Sequence, residues 1–183
     1  MDDRIDTDVD TLAIHEELER ARADFHQLLD AATSDDLARR TTDTRWTNEQ
    51  LLFHMLFGYL IVLRLLVLVR MFSRMPAGMS HGYARLLNAA TRPFDLVNYL
   101  GPRGAVHVYG PHRMPDKFDR VIAALHRHLS AETATGLRRG MHYPTRWDPF
   151  FTDFMTLADL YRYPTRHYDF HRRQLTLADP RST

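Results

Sequence analysis

The chain has 183 residues, with 24 basic and 23 acidic side chains and a formal net charge of +1 at pH 7. This near-balance provides no strong electrostatic field, so the composition argues against nucleic acid and against an anionic membrane surface as partners. Because the chain contains no cysteine, disulfides, a cysteine nucleophile and thiolate metal ligands are excluded. A chain of this length is expected to form a single domain, residues 1–183, with its core at about 10–177.

The N-terminal stretch MDDRIDTDVD is acidic and lacks the basic start and the apolar run of a signal peptide. It therefore predicts a cytoplasmic protein. The first predicted helix runs from about Asp10 to Ala32, where Leu18, Phe25 and Leu28 recur at helical spacing with charged residues between them.

The second predicted helix has a clear start at Thr47-Asn48-Glu49-Gln50, a capping box, and runs to about Phe72. Residues 51–72 are apolar enough to be mistaken for a membrane span. Arg64 lies within this run, and an arginine near the centre of a span costs roughly 2.5–3.5 kcal/mol on insertion scales. We therefore predict no membrane span but a largely buried helix, whose excess apolar surface favours a homodimer unless another segment covers it.

The middle of the chain, about 75–114, has the least regular pattern. The stretch SHGYARLLNAA is expected to form two or three helical turns, whereas GPRGAVHVYGPHRMP is rich in glycine and proline and is predicted to be a loop. The third helix is expected to open at Met114-Pro115-Asp116 and to end by Gly136 or Gly140.

The fourth helix is predicted to begin near Thr156, which can cap it, and to stop at Pro180. Pro164 falls inside this helix, about one turn before His167, and predicts a bend or break that points the following histidines inward. Just before this helix, the stretch RWDPFF predicts a shorter helix with Asp148 as its N-cap.

No strand pattern or internal repeat competes with these helices. Four amphipathic helices therefore predict an all-α fold, a four-helix bundle with a long crossover between helices two and three. Bundles of this kind build metal sites from side chains that project inward from different helices.

Three histidines are candidates for such a site. His167 and His171 are four residues apart, which puts both rings on one helix face. His54 lies in the most apolar helix, where a buried imidazole needs a partner for its nitrogens. Spacing alone leaves two interpretations open, a metal site or separate histidines that are satisfied in the core and at the surface.

Two segments resemble the DinB/YfiT superfamily. The stretch RWTNEQLLFHMLFG (45–58) is similar to its Trp-Ser/Thr segment with a histidine, and residues 141–175 resemble its C-terminal segment, which ends in His-x-x-x-His followed by Gln-Leu. The resemblance implies an up-down-down-up four-helix bundle in which His54, His167 and His171 hold a divalent metal ion. Zinc, nickel and iron(II) all tolerate such a ligand set.

The resemblance also implies a small-molecule substrate and an activity. The superfamily includes S-transferases and isomerases that use small thiols such as mycothiol or bacillithiol, and also hydrolases. A thiol S-transferase is therefore expected, with a hydrolase or a non-catalytic metal-binding or small-molecule-binding bundle as alternatives. Candidate substrate-binding side chains are Trp46, Arg64 and Tyr168. Acceptors for the ligand rings are expected among three carboxylates, Asp153, Asp159 and Asp169.

Overall fold

A computed structural model describes residues 9–177, and this region is mostly helical, as predicted. Residues 1–8 and the predicted stop at Pro180 lie outside the described region. In chain order the elements are α1 Thr11–Ala31, α2 Ser34–Ala38, α3 Asn48–Phe72, α4 Ala77–Ala89, α5 Thr91–Ser130, α6 Ala134–Leu137, β1 Gly140–His142, β2 Phe154–Thr156 and α7 Leu157–Arg172.

The helices α3 and α7 carry the three histidines, and both begin with a capping box. The Thr47 side chain accepts a hydrogen bond from the backbone N–H of Gln50, and the Gln50 side chain accepts one from the backbone N–H of Thr47. Thr156 and Asp159 form the same reciprocal pair at the start of α7. The predicted starts of both helices are therefore confirmed, and the caps set where each helix turn begins.

Four aromatic rings show how the long helices meet in the core. Phe118 of α5 contacts Phe25 of α1 and Tyr59 of α3, with ring centroids 4.6 and 4.9 Å apart. Tyr168 of α7 lies 6.3 Å from Tyr59 and 6.4 Å from Phe118. Each of these helices packs mainly against two others, α3 against α5 and α7 and α1 against the same pair, so α3 and α7 lie side by side.

The apolar helix α3 is long and apolar enough to cross a membrane by its composition, but it belongs to the core. Of its most apolar window, 56% is buried inside the protein. The segment between α3 and the second half of α5 also packs on it: Tyr83 of α4 stacks on Phe72, and Tyr109 of α5 stacks on Phe53. A membrane span is not needed to explain this helix.

The loop predicted at residues 101–115 is wrong. This stretch is helical and belongs to α5, which runs from Thr91 to Ser130. Gly110 interrupts it with φ 59° and ψ 164°, so α5 consists of two helical segments joined at a kink. Pro111, directly after the kink, opens the second segment, where a missing N–H costs nothing. Glycine and proline here mark a junction between helices instead of a loop.

Two further local predictions are wrong. The stretch 148–150 forms a turn instead of a short helix, because the backbone N–H of Phe150 donates to Asp148 Oδ1 at 2.8 Å. The expected absence of strands is also incorrect, since β1 and β2 pair as a short antiparallel hairpin that pairs Met141 with Met155. This hairpin packs against α3 and α4 and forms one wall near the histidines.

Of the bend or break predicted at Pro164, the break does not occur. The helix α7 continues from Leu157 to Arg172 with Pro164 inside it. The proline lacks the N–H that would bond to the carbonyl one turn earlier, but its neighbours are tightly packed: Tyr161, Tyr163 and Thr165 are each less than 5% exposed. Packing on both sides therefore holds the helix together across a residue that disfavours it.

Candidate metal centre

The structure brings the three predicted histidines together. The ring centroids of His54, His167 and His171 lie 4.5 to 4.9 Å apart, and one potential ligand atom from each falls within 4.8 Å of the others. His54 and His167 are 6% and 3% exposed. Histidines that are 113 residues apart in the chain thus converge at the interface of α3 and α7.

Gly58 makes this approach possible. It lies one helical turn after His54 on α3, on the face that meets α7. A Cβ atom built at this position would meet the Nδ1 atom of His167 at 3.0 Å. The absence of a side chain at Gly58 therefore lets the His167 ring lie against the backbone of α3.

Burial keeps these imidazoles neutral. Removal from water lowers the pKa of His54 to about 3, and the neighbouring His171 adds to this effect. Burial, followed by the charges of the other two histidines, lowers the pKa of His167 well below its ordinary value. Burial also lowers the pKa of His171. Neutral imidazoles are the form in which histidine binds a metal ion.

The spacing of the nitrogen atoms fits a shared metal ion. The Nε2 atoms of His54 and His167 are 3.2 Å apart. Two imidazole nitrogens bound to one tetrahedral zinc ion, at about 2.0–2.1 Å each, are separated by about 3.3 Å. Without an ion, one Nε2 must donate to the other, and both Nδ1 atoms lack a partner among the described residues. The donor set, its spacing and its burial therefore suit a divalent metal ion.

The partner of the third ring is an amide, not a carboxylate. The Nδ1 atom of His171 lies 2.7 Å from Oε1 of Gln174. With Nδ1–H as donor, Nε2 of His171 keeps its lone pair for a ligand position. The only available signal in the sequence was the Gln-Leu pair after the histidines, in which Gln174 follows His171 by three residues.

The three carboxylates expected to support the rings have other roles. Asp153 accepts from Nδ1 of His142 at 3.1 Å, and Asp159 caps α7. Asp169 forms a two-point ion pair with Arg20 of α1, at 2.8 and 3.0 Å. All three contacts lie outside the histidine cluster, so that part of the sequence prediction is wrong.

Asp148 is the carboxylate that lies beside the cluster. Its Oδ2 atom is 3.8 Å from Nε2 of His167, too far for a hydrogen bond. The two groups do not form an ion pair, because burial lowers the pKa of His167 and raises the pKa of Asp148. Asp148 Oδ2 also accepts a hydrogen bond from the Tyr163 hydroxyl at 2.9 Å. From the sequence alone, Asp148 is predicted only to cap a short helix.

Of the predicted substrate-binding residues, Trp46 is the one beside the cluster. Its ring centroid lies 4.5 Å from that of His54, and it is 9% exposed. Its indole N–H donates to the backbone carbonyl of Tyr99 in α5 at 3.2 Å. Trp46 therefore covers one face of the His54 ring, and its own hydrogen bond connects Trp46 to α5.

The other two predicted substrate-binding residues are placed elsewhere. Arg64 is exposed on α3, and it does not line either cavity beside the histidines. Tyr168 is fully buried, and its hydroxyl donates to Asp24 of α1 at 2.8 Å. Helix direction explains both positions, since neither side chain lies on the face that presents the histidines.

Two cavities meet at the histidines. The larger cavity, about 260 Å³, lies between α3, α4, the first half of α5 and the segment from β1 to Phe151. The smaller cavity, about 190 Å³, includes Trp46, Phe170 and His171. Both are bordered by the same five residues, His54, Asn98, Trp147, Asp148 and His167. The candidate metal site can therefore be reached from two sides.

A second group of possible ligands lies at the surface. His81, His142 and Asp153 place potential ligand atoms within 4.8 Å of one another. His81 and Asp153 are exposed, so water can satisfy their polar atoms. This group lacks the buried nitrogens without partners that distinguish the cluster on α3 and α7.

Comparison with known proteins agrees with this geometry. A family model described as the DinB superfamily matches residues 17–175, a range that contains all three histidines of the cluster. Curated proteins and solved structures were also compared, and neither set gave a significant match. Because the family match covers most of the chain, the protein belongs to the DinB superfamily.

Proposed function

We propose that this protein is a metal-dependent thiol S-transferase that uses a small external thiol such as mycothiol. The observation that carries the proposal is the convergence of three neutral imidazoles on one point that borders two cavities. Three protein ligands leave at least one position for another molecule, an arrangement typical of catalytic rather than structural metal sites. His54, His167 and His171 would hold the ion, which we expect to be zinc, nickel or iron(II).

The thiol must come from outside, because the chain has no cysteine. A divalent cation, when bound, supplies thiolate at neutral pH by lowering the pKa of a coordinating thiol, which is ordinarily about 8.5. The protein's own contribution is to keep the three rings neutral by burial and to fix their orientation, with Gln174 holding His171.

Asp148 is suited to accept the thiol proton. Its Oδ2 atom lies beside the histidine cluster, and burial raises its pKa, which makes the carboxylate a stronger base. In the proposed reaction the proton moves to Asp148 Oδ2, the sulfur forms a bond to the electrophilic carbon, and the leaving group departs with its bonding electrons. Tyr163 and the backbone of Phe150 hold the two carboxylate oxygens in place.

The smaller cavity is the better entrance for the thiol. Its lining combines aromatic rings with hydrogen-bonding groups, including His171, Asn98 and Asp148. A low-molecular-weight thiol carries many polar groups, which need such partners when they leave water. The larger cavity then remains for the second substrate.

The wider proposal concerns fold, location and assembly. We take α1, α3, the second half of α5 and α7 as a four-helix bundle within one domain, in which α4 and the first half of α5 form the crossover. We expect the protein to act in the cytoplasm.

Homodimer formation through α3 stays a prediction. The exposed apolar surface of α3 includes Val67 and Met71, whose side chains are 62% and 42% exposed. Analytical ultracentrifugation at micromolar concentration tests it, and Val67→Asp should shift a dimer towards monomer. A monomeric wild-type protein would contradict the prediction.

The first experiment measures the metal content of the purified protein by elemental analysis. We expect about one divalent ion per chain, and loss of most of it in His54→Ala, because two rings cannot replace the third. His128→Ala is the matched control, since His128 is an exposed histidine on α5 far from the cluster in the chain. Full occupancy in His54→Ala would refute the ligand assignment.

The second experiment tests the reaction. Metal-loaded protein is incubated with an activated aryl halide and with mycothiol, bacillithiol or glutathione, each in a separate reaction. We expect a conjugate with at least one thiol, lost in His171→Ala and reduced by about 10²–10⁴-fold in Asp148→Asn, the range for a general base. Failure with every thiol would reject the transferase.

One observation favours a hydrolase as the second candidate. A buried carboxylate beside three imidazoles can equally accept a proton from water that attacks an ester or amide. Metal-dependent ester hydrolysis without any thiol turnover would move the assignment to this activity. If neither reaction occurs in protein that holds its metal, the non-catalytic binding bundle is the remaining alternative.

A further inference from the structure

The larger cavity differs in chemistry from the smaller one. Its walls are formed mainly by apolar side chains from α3, α4 and α5, among them Phe57, Ile61, Leu65, Leu87 and Phe94. Its volume of about 260 Å³ exceeds the roughly 150 Å³ of an engineered apolar cavity that binds benzene. The space therefore suits a group somewhat larger than one unsubstituted aromatic ring.

In the metal-free protein, the charges around the larger cavity disfavour anions. No lysine or arginine lines it among residues 9–177, and its one carboxylate is Asp148. An anionic substrate would lose its hydration without gaining a cationic partner in the walls, and it would meet a carboxylate near the histidines. An uncharged molecule pays neither cost.

One polar group in the wall lacks a partner. Tyr143 lines the larger cavity and is 1% exposed, and its hydroxyl has no hydrogen-bond partner among the described residues. The hydroxyl is closed off from the cavity, so it offers no contact to a ligand there. The cavity therefore presents mainly apolar surface to a ligand.

We propose that the larger cavity binds the second substrate, an uncharged and mainly apolar molecule of about the size of a substituted one-ring or two-ring aromatic compound. That the bound molecule is a substrate rests on the proposed function. The binding itself depends only on the cavity, so it can be tested without any thiol and without turnover.

Isothermal titration calorimetry with 2-naphthol and the anion 2-naphthoate tests the proposal at pH 7. The full-length protein is used both metal-loaded and after treatment with a chelator, with no thiol present. We expect 2-naphthol to bind one per chain in both forms, and the metal-free form to bind it at least tenfold more tightly than 2-naphthoate. Equal or tighter binding of the anion by the metal-free protein would overturn the proposal, whatever the outcome of the conjugation assay.

Two variants locate the binding site. Leu65→Phe fills the cavity and should weaken 2-naphthol at least tenfold, whereas Val67→Phe, on the exposed side of the same helix, should leave its affinity unchanged. If Leu65→Phe fails to fold, as circular dichroism would reveal, Leu87→Phe on the opposite wall serves instead. Unchanged affinity in a folded cavity-filling variant would overturn the assignment of the cavity.

Discussion

At the scale of single residues, the site depends on small contacts around the three rings. Gly58 and Gln174 hold the rings in place and are not among the proposed ligands of the ion. Gly58 leaves space for the His167 ring against the backbone of α3, and Gln174 fixes the His171 ring by a hydrogen bond. Changes at these residues should alter metal affinity while the ligands remain intact.

Gly58→Ala should weaken metal binding. The new methyl group would lie 3.0 Å from Nδ1 of His167, so the ring must shift away from its position. Changes to groups that support a ligand typically cost about 10–100-fold in metal affinity. Competition with a metal chelator measures the effect.

The matched control for this variant is Gly82→Ala in α4, where a Cβ atom would meet nothing within 4 Å. Alanine favours helix over glycine by up to about 1 kcal/mol, so Gly82→Ala should keep its metal and gain slight stability. Metal affinity at the wild-type level in Gly58→Ala would show that the ring has room to move.

Gln174→Ala should also weaken metal binding, by about 10–100-fold. Without the Oε1 atom, the His171 ring loses its acceptor and is free to rotate or change tautomer. Gln174→Glu keeps an oxygen acceptor and should retain most of the affinity. The same chelator competition compares the three proteins. An equal loss of metal affinity in both variants would indicate that Gln174 does not act as the hydrogen-bond acceptor of His171.

At the scale of elements, α5 shows how a kink can replace a loop. Gly110 has φ 59° and ψ 164°, a conformation that is essentially restricted to glycine. Gly110→Ala should therefore lower the free energy of unfolding by about 1–3 kcal/mol, measured by urea denaturation.

Gly104→Ala in the same helix is the control. Its Cβ atom would meet nothing within 4 Å, and its backbone is helical. This variant should be as stable as the wild type or up to about 1 kcal/mol more stable. If Gly110→Ala is equally stable, the kink is not fixed by this residue.

At the scale of the whole molecule, the buried histidines couple stability to pH. In the unfolded chain their pKa is near 6.5, and in the folded chain the pKa of His54 is about 3. Below pH 6.5 the unfolded state therefore binds more protons. As the pH is lowered below 6.5, the free energy of unfolding of the metal-free protein should fall by roughly 1.4 kcal/mol per pH unit for each such histidine.

Urea denaturation between pH 6.5 and pH 5 measures this dependence, above the range in which most carboxylates titrate. His54→Gln cannot gain the proton and should show a smaller slope. His128→Gln, at an exposed position, should keep the wild-type slope. Identical slopes in all three proteins would mean that His54 does not remain neutral in the folded state.

The sequence by itself determined the features that depend on local pattern. Capping boxes fixed the starts of α3 and α7, and periodic apolar residues identified the long helices. The resemblance of two segments to a known superfamily selected His54, His167 and His171, which spacing alone left undecided. These signals are strong because each depends on residues close together in the chain.

Tertiary structure alone decided which groups surround the histidines. Asp148 and Gly58 matter through neighbours that are distant in sequence, so no local pattern reveals them. The same reason explains why the residues on both sides of Gly110 form helix instead of a loop, and why α7 continues without a break through Pro164. Glycine and proline disfavour a helix locally, but packing against other elements compensates for that cost, and a single sequence does not contain that contribution in readable form.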